Sequence, residues 1–266
     1  MSVTIINGGT QGLGEAVARK LTERGAKGLL LVGRSAGRGQ KLAAELTELG
    51  TESVFFEADI ADPAAPQAIL DACDATFGSV HGLVNVAAQT SRSNVFTETP
   101  EHFDRMMTVN VKAPFFLIQA AARLMVRDSV RGSIVNIGSV AGYGGASKLA
   151  SYSISKGALA IMTKNFAFAL MGHGIRVNQV NPGWMDTESE HQTQRTWDNA
   201  PEDWLVAAEA SRPMGRLVKP WEVANTVVHC LSDDAGVLTG NLIDVEQAII
   251  GAGDPPVPTA ADTVWP

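Results

Sequence analysis

The sequence predicts an α/β fold, a doubly wound parallel sheet of about seven strands with helices on both faces, and three observations predict it. Short apolar runs alternate with longer segments of helical period along most of the 266 residues. A glycine-rich turn, Gly8-Gly9-Thr10-Gln11-Gly12-Leu13-Gly14, directly follows the first apolar run. A chain of this length that is 45% hydrophobic can also bury one large core.

The elements follow in order. A strand over 3–7 leads through the glycine turn into a helix from 12 to about 24. A strand at 28–33 precedes a helix at about 37–49, and a strand at 54–57 precedes one at about 63–77. The pattern continues with a strand at 83–86, helices around 101–110 and 111–127, and a strand at 133–137. The helix carrying Tyr152 runs to about Met171 and stops at Gly172-His173-Gly174, before a strand at 175–180. From Asp186 to Ser211 the period breaks down into a polar stretch with Trp197 and Trp204, read as a helical excursion over the site. Pro220 opens a helix to Leu231, and a strand at 241–245 completes the sheet. The expected organisation is one domain over 1–252, with the excursion at about 184–212, and a surface arm at 253–266 whose Pro255, Pro256 and Pro258 cannot extend a helix or a ladder.

A net charge of −7 without any Lys/Arg block argues against nucleic acid or an anionic membrane as the partner and for a small molecule. Cys73 and Cys230 lie far apart in apolar contexts, without metal or redox spacing, which suits core positions in a reducing compartment. The first residues lack a basic region and a cleavage pattern, and no run of eighteen apolar residues occurs, so the expectation is a soluble, cytoplasmic protein.

Chemistry enters with Tyr152-Ser153-Ile154-Ser155-Lys156 and with Ser139, thirteen residues upstream. On a helix, Tyr152 and Lys156 share a face. A phenol with a reference pKa of about 10 needs a shift of roughly 2 to 3 units, or ~3 to 4 kcal/mol, to serve as a base near neutrality. The Lys156 ammonium and the positive nicotinamide ring of an oxidised cofactor are both expected to favour the phenolate in a site shielded from water, with Ser139 holding the substrate oxygen. By itself such a pair also fits a solvated helix face. Ser153 and Lys156 fit the Ser-x-x-Lys spacing of acyl enzymes as well, but the companion Ser-Asp-Asn and Lys-Thr-Gly motifs are absent.

Gly8, Gly12 and Gly14 lie between a first strand and a first helix, where glycines allow close backbone approach to a pyrophosphate and the helix end offers free N–H groups. The spacing, Gly-x-x-x-Gly-x-Gly, is not the ordinary fingerprint. At the end of the second strand, where an acid would bind both adenosine ribose hydroxyls, Gly33 is followed by Arg34. Arg34, Ser35 and Arg38 can pair a 2′-phosphate, which favours NADP(H) over NAD(H); an Arg34 stacked on adenine would serve either.

With these residues in view, the chain resembles the short-chain dehydrogenase/reductase family, single-domain and Rossmann-like, over nearly its whole length. The resemblance implies cofactor contacts at Gly8, Gln11, Gly12, Leu13 and Gly14, an adenine contact at Asp59-Ile60, and a further contact at Asn85 and Ala87. It places the nicotinamide at Pro182, Gly183 and Thr187, with Tyr152 and Lys156. It implies a catalytic set of Asn110, Ser139, Tyr152 and Lys156, without a metal. Tyr152 would exchange the proton, Lys156 lower its pKa and hold the ribose, Ser139 polarise the carbonyl, and Asn110 position a water. Asn7, Val86, Ala88 and Gln247-Ala248 depart from the family pattern without removing a reacting group.

Substrate contacts are expected from Ser139, Tyr143 and Ser147, and from Trp184, His191, Gln192, Arg195 and Trp197. Amides and aromatic faces suit a sugar, a polyol or a similar small polar molecule, and Arg195 with Arg92 leaves room for an anionic one. The alternatives are a reductase of a non-sugar carbonyl such as a 3-oxoacyl compound, or a non-catalytic cofactor-binding relative. Apolar residues on more than one face of the helices at 111–127 and 152–171 point to a homotetramer.

Overall fold

The computed structural model describes residues 3–249 and 251–252, so the arm expected at 253–266 lies outside the described residues. Seven parallel strands form one sheet: β1 (Val3–Asn7), β2 (Gly28–Gly33), β3 (Glu52–Glu57), β4 (Gly82–Asn85), β5 (Ser133–Ile137), β6 (Arg176–Pro182) and β7 (Leu242–Val245). Their order across the sheet is β3-β2-β1-β4-β5-β6-β7. The order reverses between β1 and β4, which opens a crevice at their carboxyl ends, the usual place for a ligand in such sheets.

Side-chain alternation along the strands builds two cores. Ile5, Leu30, Leu83, Ile134 and Val177 face α3 (Ala65–Phe77), α5 (Ala113–Arg127) and α6 (Ala150–Leu170), through Ile69, Leu117 and Leu159. Ile6, Leu31, Val84, Val135 and Val180 face α1 (Gly12–Glu23), α2 (Ala36–Glu48) and α9 (Pro220–Leu231), through Val17, Leu46 and Val227. Helices therefore cover both faces of the sheet.

Two boundaries differ from expectation in ways that matter at the crevice. The segments expected as separate helices at 101–110 and 111–127 form one helical run. It starts as α4 (Pro100–Met107), capped by the Thr99 hydroxyl, and passes through a wide π turn at Thr108–Lys112 into α5. Pro114 gives no N–H to the carbonyl of Asn110, four residues back, and a widened turn absorbs that missing bond. The run is apolar and long enough to span a membrane by length and composition, yet 56% of its most apolar window is buried in this fold. β6 extends past the expected 180 to Pro182, which carries the chain to the crevice edge.

The excursion at 184–212 consists of α7 (Glu188–Trp197) and α8 (Trp204–Ala210). Trp184 stacks on Trp204 with ring centroids 5.6 Å apart and planes 26° apart, over the buried Leu217.

Candidate active site

The crevice is a cleft of about 940 Å³ that follows the carboxyl ends of β1, β2, β4, β5 and β6 and is walled on one side by α7. That size suits a small molecule together with a nucleotide-sized one.

β5 ends at Ile137, and the chain turns at Gly138 because a Cβ there would lie 2.0 Å from Asn181 Oδ1. Ser139 follows and caps a 3-10 turn, its Oγ accepting from Ala141 N at 3.1 Å. α6 starts two residues before Tyr152, so Tyr152 and Lys156 are one helical turn apart, and both line the cleft with Ser139. Lys156 Nζ donates to the Ile137 carbonyl at 2.7 Å and lies 5.6 Å from the centroid of the Tyr152 ring.

Burial dominates the electrostatics of this pair. It raises the Tyr152 phenol above its ordinary value, with the Ser139 hydroxyl acting in the opposite direction; the Glu190 charge also raises it and Arg92 lowers it. Burial brings the Lys156 ammonium down to about 8. In the chain by itself, desolvation pushes both groups toward neutrality.

Asn110 sits in the π turn, buried and behind the cleft wall. Its amide clamps the strand-β4 loop by accepting from Gln89 N at 2.7 Å and donating to Gln89 O at 3.0 Å, and it also donates to Ser155 Oγ at 3.0 Å. Ser155 in turn donates to the Tyr152 carbonyl at 2.7 Å, so Asn110 ties the β4 loop to the Tyr152 helix.

At the other end, the residues fit a dinucleotide. Gly8 has φ +86° and Gly12 φ +54°, conformations that favour glycine, and a Cβ on Gly8 would lie 2.6 Å from Ala87 N. Gln11 precedes α1 without a capping side-chain bond, which leaves the helix N–H groups facing the cleft. Asn7 Nδ2, buried beside that turn, finds no acceptor among the described residues. Gln11, Gly12, Leu13, Arg34, Ser35, Asp59, Ile60, Ala87, Pro182, Gly183 and Thr187 all line the cleft. Asp59 is held below its ordinary pKa chiefly by the Ala61 N–H, and it pairs with Arg105 at 3.1 Å.

Eight expected contacts are corrected. Gly14 is not on the wall: its Cβ would lie 1.9 Å from Gly8 O, so it is glycine to let α1 rest on the turn. Asn85 turns away from the cleft to donate to Asn136 Oδ1 at 2.9 Å, its register partner on β5. Tyr143 points behind the wall, its hydroxyl donating to Asp244 at 2.9 Å and accepting from Asn181 at 3.2 Å. Ser147, Gln192, Arg195 and Trp197 are solvent-exposed and do not line the cleft. His191 pairs with Asp186 at 3.0 Å and packs edge-on against Trp204.

Trp184 does face the cleft, joined by four residues that sequence reasoning missed on α7: Ser189, Glu190, Thr193 and Gln194. The missing signal was local. Thr187 Oγ1 accepts from Glu190 N at 3.1 Å, so Thr187-x-x-Glu190 marks the helix start and fixes which face turns inward. Gln89, Arg92, Arg212 and Glu246 complete this end. Arg92 is bound by Glu190 at 3.5 Å and Asp198 at 3.2 Å, and is not free for a substrate anion.

A half-buried phenol facing a hydroxyl and backed by a buried lysine, at the switch point of a nucleotide-fitting sheet, defines a proton-coupled, nucleotide-dependent oxidoreductase. Comparison with known proteins narrows that class. A family model described as enoyl-(acyl carrier protein) reductase matches residues 8–247. The 2-(S)-hydroxypropyl-CoM dehydrogenase 3 of Xanthobacter autotrophicus is 35% identical over 246 residues, 92% of this chain and 94% of its own. Galactitol 2-dehydrogenase of Agrobacterium fabrum is 29% identical over 248 residues, 92% of this chain and 95% of its own. Among solved structures, an actinorhodin polyketide ketoreductase with NADPH superposes with a TM-score of 0.86 at 27% identity, covering 92% of this chain and 96% of that one. The chain belongs to the short-chain dehydrogenase/reductase family, and it is an NAD(P)-dependent oxidoreductase acting on CH–OH groups.

Proposed function

We propose that this protein interconverts a secondary alcohol and a ketone on a small polar, hydroxylated molecule, with NADP(H) as the preferred cofactor. The observation that carries the reaction is the half-buried Tyr152 phenol, facing Ser139 and set above Lys156 in the cleft. When bound, the nicotinamide cofactor supplies or accepts the hydride. The chain does the rest. Tyr152 holds the proton exchanged with the substrate oxygen, Ser139 orients that oxygen, Lys156 holds the ribose, and Asn110 keeps the β4 loop and the Tyr152 helix in register. Gly8, Gly12 and the α1 end cradle the pyrophosphate.

For the substrate class, the support is the inner face of α7, where Ser189, Glu190, Thr193 and Gln194 offer hydroxyl and amide partners beside the Trp184 ring. For the cofactor, it is Arg34 and Arg38, which line the cleft beside Gly33. A homotetramer is supported by exposed apolar side chains, Phe115 and Phe116 on α5 and Ile161 and Phe168 on α6. Cys73 and Cys230, both buried and free, suit a reducing cytoplasmic compartment.

The test is Tyr152→Phe with a panel of polyols, sugars and ketones, following the reduced nicotinamide. The variant keeps the ring and loses the proton carrier, so turnover falls by ~10²–10⁴ while cofactor affinity stays within a few-fold. Near-normal turnover would remove Tyr152 from the reaction.

A further inference from the structure

Arg212 follows α8 and turns its guanidinium toward the substrate end of the cleft. Its Cζ lies over the Trp184 ring, 5.6 Å from the centroid. That ring is itself fixed, because Trp184 Nε1 donates to Glu190 Oε1 at 2.8 Å and the indole stacks on Trp204. The guanidinium is therefore placed by an immobile aromatic platform, an arrangement that orients its fork.

Among the described residues, the charges around Arg212 are committed to one another. Arg92 is bound by Glu190 and Asp198, Lys219 by Asp186 and Glu209, and Arg216 by Glu222. The neighbouring carboxylates are committed as well. Glu190 Oε1 accepts from Trp184 and from Gln194 at 2.8 Å each, and Glu246 accepts the backbone N–H groups of Trp184 at 3.1 Å and Gln247 at 2.5 Å. Among the described residues Arg212 makes one side-chain bond, from Nε to Ser211 Oγ at 3.2 Å, and no carboxylate comes within 4 Å. Among the described residues its terminal nitrogens have no protein acceptor.

We infer that Arg212 receives a single negative charge, a carboxylate or a sulfonate, carried by the substrate away from its reacting carbon. Both groups present coplanar oxygen pairs that match the guanidinium fork. This rests on the oxidoreductase reading above and deepens it: the substrate is a hydroxy or oxo acid. A dianion fits less well, with Glu190 and Glu246 on the same wall.

The experiment compares 4-oxopentanoate, 4-oxopentanamide and 3-oxobutane-1-sulfonate with NADPH, for wild type, Arg212→Gln and Arg212→Lys, with thermal melts confirming folding. In wild type the efficiency ratio of acid to amide is expected to be at least about 10, set mainly through KM. The ratio falls to near 1 in Arg212→Gln and partly recovers in Arg212→Lys, and the better of the two acids identifies the anion. A wild-type ratio near 1, or a ratio unchanged by Arg212→Gln, overturns the inference while leaving the oxidoreductase reading intact. If no compound is turned over, calorimetric binding of 4-oxopentanoate to the NADPH complex decides instead. Binding that Arg212→Gln abolishes supports the inference even as the reaction reading fails; no binding by wild type overturns it. Should Arg212→Gln fail to fold, the wild-type ratio and its response to Arg212→Lys carry the test.

Discussion

Lys156 is buried with no carboxylate beside it, and this makes a measurable statement about stability. Its pKa falls from 10.5 to about 8 through burial alone, a difference of ~3 kcal/mol between folded and unfolded states. Above pH 10.5 the amine is neutral in both states and the penalty is zero. As the pH falls from 10.5 to about 8, the unfolded chain takes up a proton that the native chain refuses, so stability drops; below about 8 the full penalty is in place. Lys156→Met removes the penalty, and it also removes the donor to the Ile137 carbonyl, leaving a buried acceptor short by ~1–3 kcal/mol. The variant should therefore be more stable than wild type by about 1 kcal/mol near pH 7 and less stable by about 2 kcal/mol near pH 10.5. Urea unfolding of both proteins without cofactor, at several pH values across that range, gives the difference directly, and titrations common to both cancel. A difference that stays flat with pH would show that burial does not hold Lys156 near 8, and the electrostatic account of the site would fall with it. The same variant should lose turnover, so stability and activity move in opposite directions at this residue.

Three further outcomes follow from particular contacts. Arg34→Asp should move the ratio of catalytic efficiencies from NADP(H) toward NAD(H), since a carboxylate repels the 2′-phosphate and accepts from both ribose hydroxyls; a wild type already favouring NAD(H) would make Arg34 an adenine platform only. Gly14→Ala puts a Cβ 1.9 Å from Gly8 O and 2.9 Å from Gly9 Cα, all backbone, so a loss of ~1–3 kcal/mol in stability and a weakened cofactor affinity are expected in melts and titrations. Sedimentation at low micromolar concentration should give four chain masses, and a monomer would leave Phe115, Phe116 and Phe168 in need of another partner.

Features written in neighbouring residues were legible in the sequence, and features made by distant pairings were not. The strands at 28–33 and 133–137 were read to the residue, because glycine, charge and apolar run bound them locally. Tyr152 and Lys156 needed only a helical period. Asn85 was misplaced because its partner Asn136 is 51 residues on, and only the adjacency of β4 and β5 brings the two amides together. Tyr143 was misplaced for the same reason, its acceptor Asp244 standing 101 residues away on the sheet edge. On α7 the error was one of phase. Choosing His191 and Arg195 in place of Glu190 and Gln194 is a rotation of one residue, about 100°, about the helix axis. The Thr187 cap sets that rotation, and it was read as a cofactor contact alone.

The same division separates what spacing alone supplies to the Tyr152 and Lys156 pair from what burial adds. Sequence spacing places an ammonium near a phenol, and in bulk water that attraction is worth only ~1 kcal/mol. The fold removes the water from both. Desolvation then penalises either charge, so the chain by itself holds Tyr152 protonated and weakens the hold of Lys156 on its proton. A protonated phenol is the form that can give a proton to a ketone oxygen. Taking a proton from an alcohol requires the phenolate, and the Arg92 charge that favours it is opposed by Glu190, which binds Arg92 on the same wall. The oxidising direction therefore depends on positive charge arriving with the oxidised cofactor, and the direction of the proton is coupled to which form of the cofactor the cleft has taken.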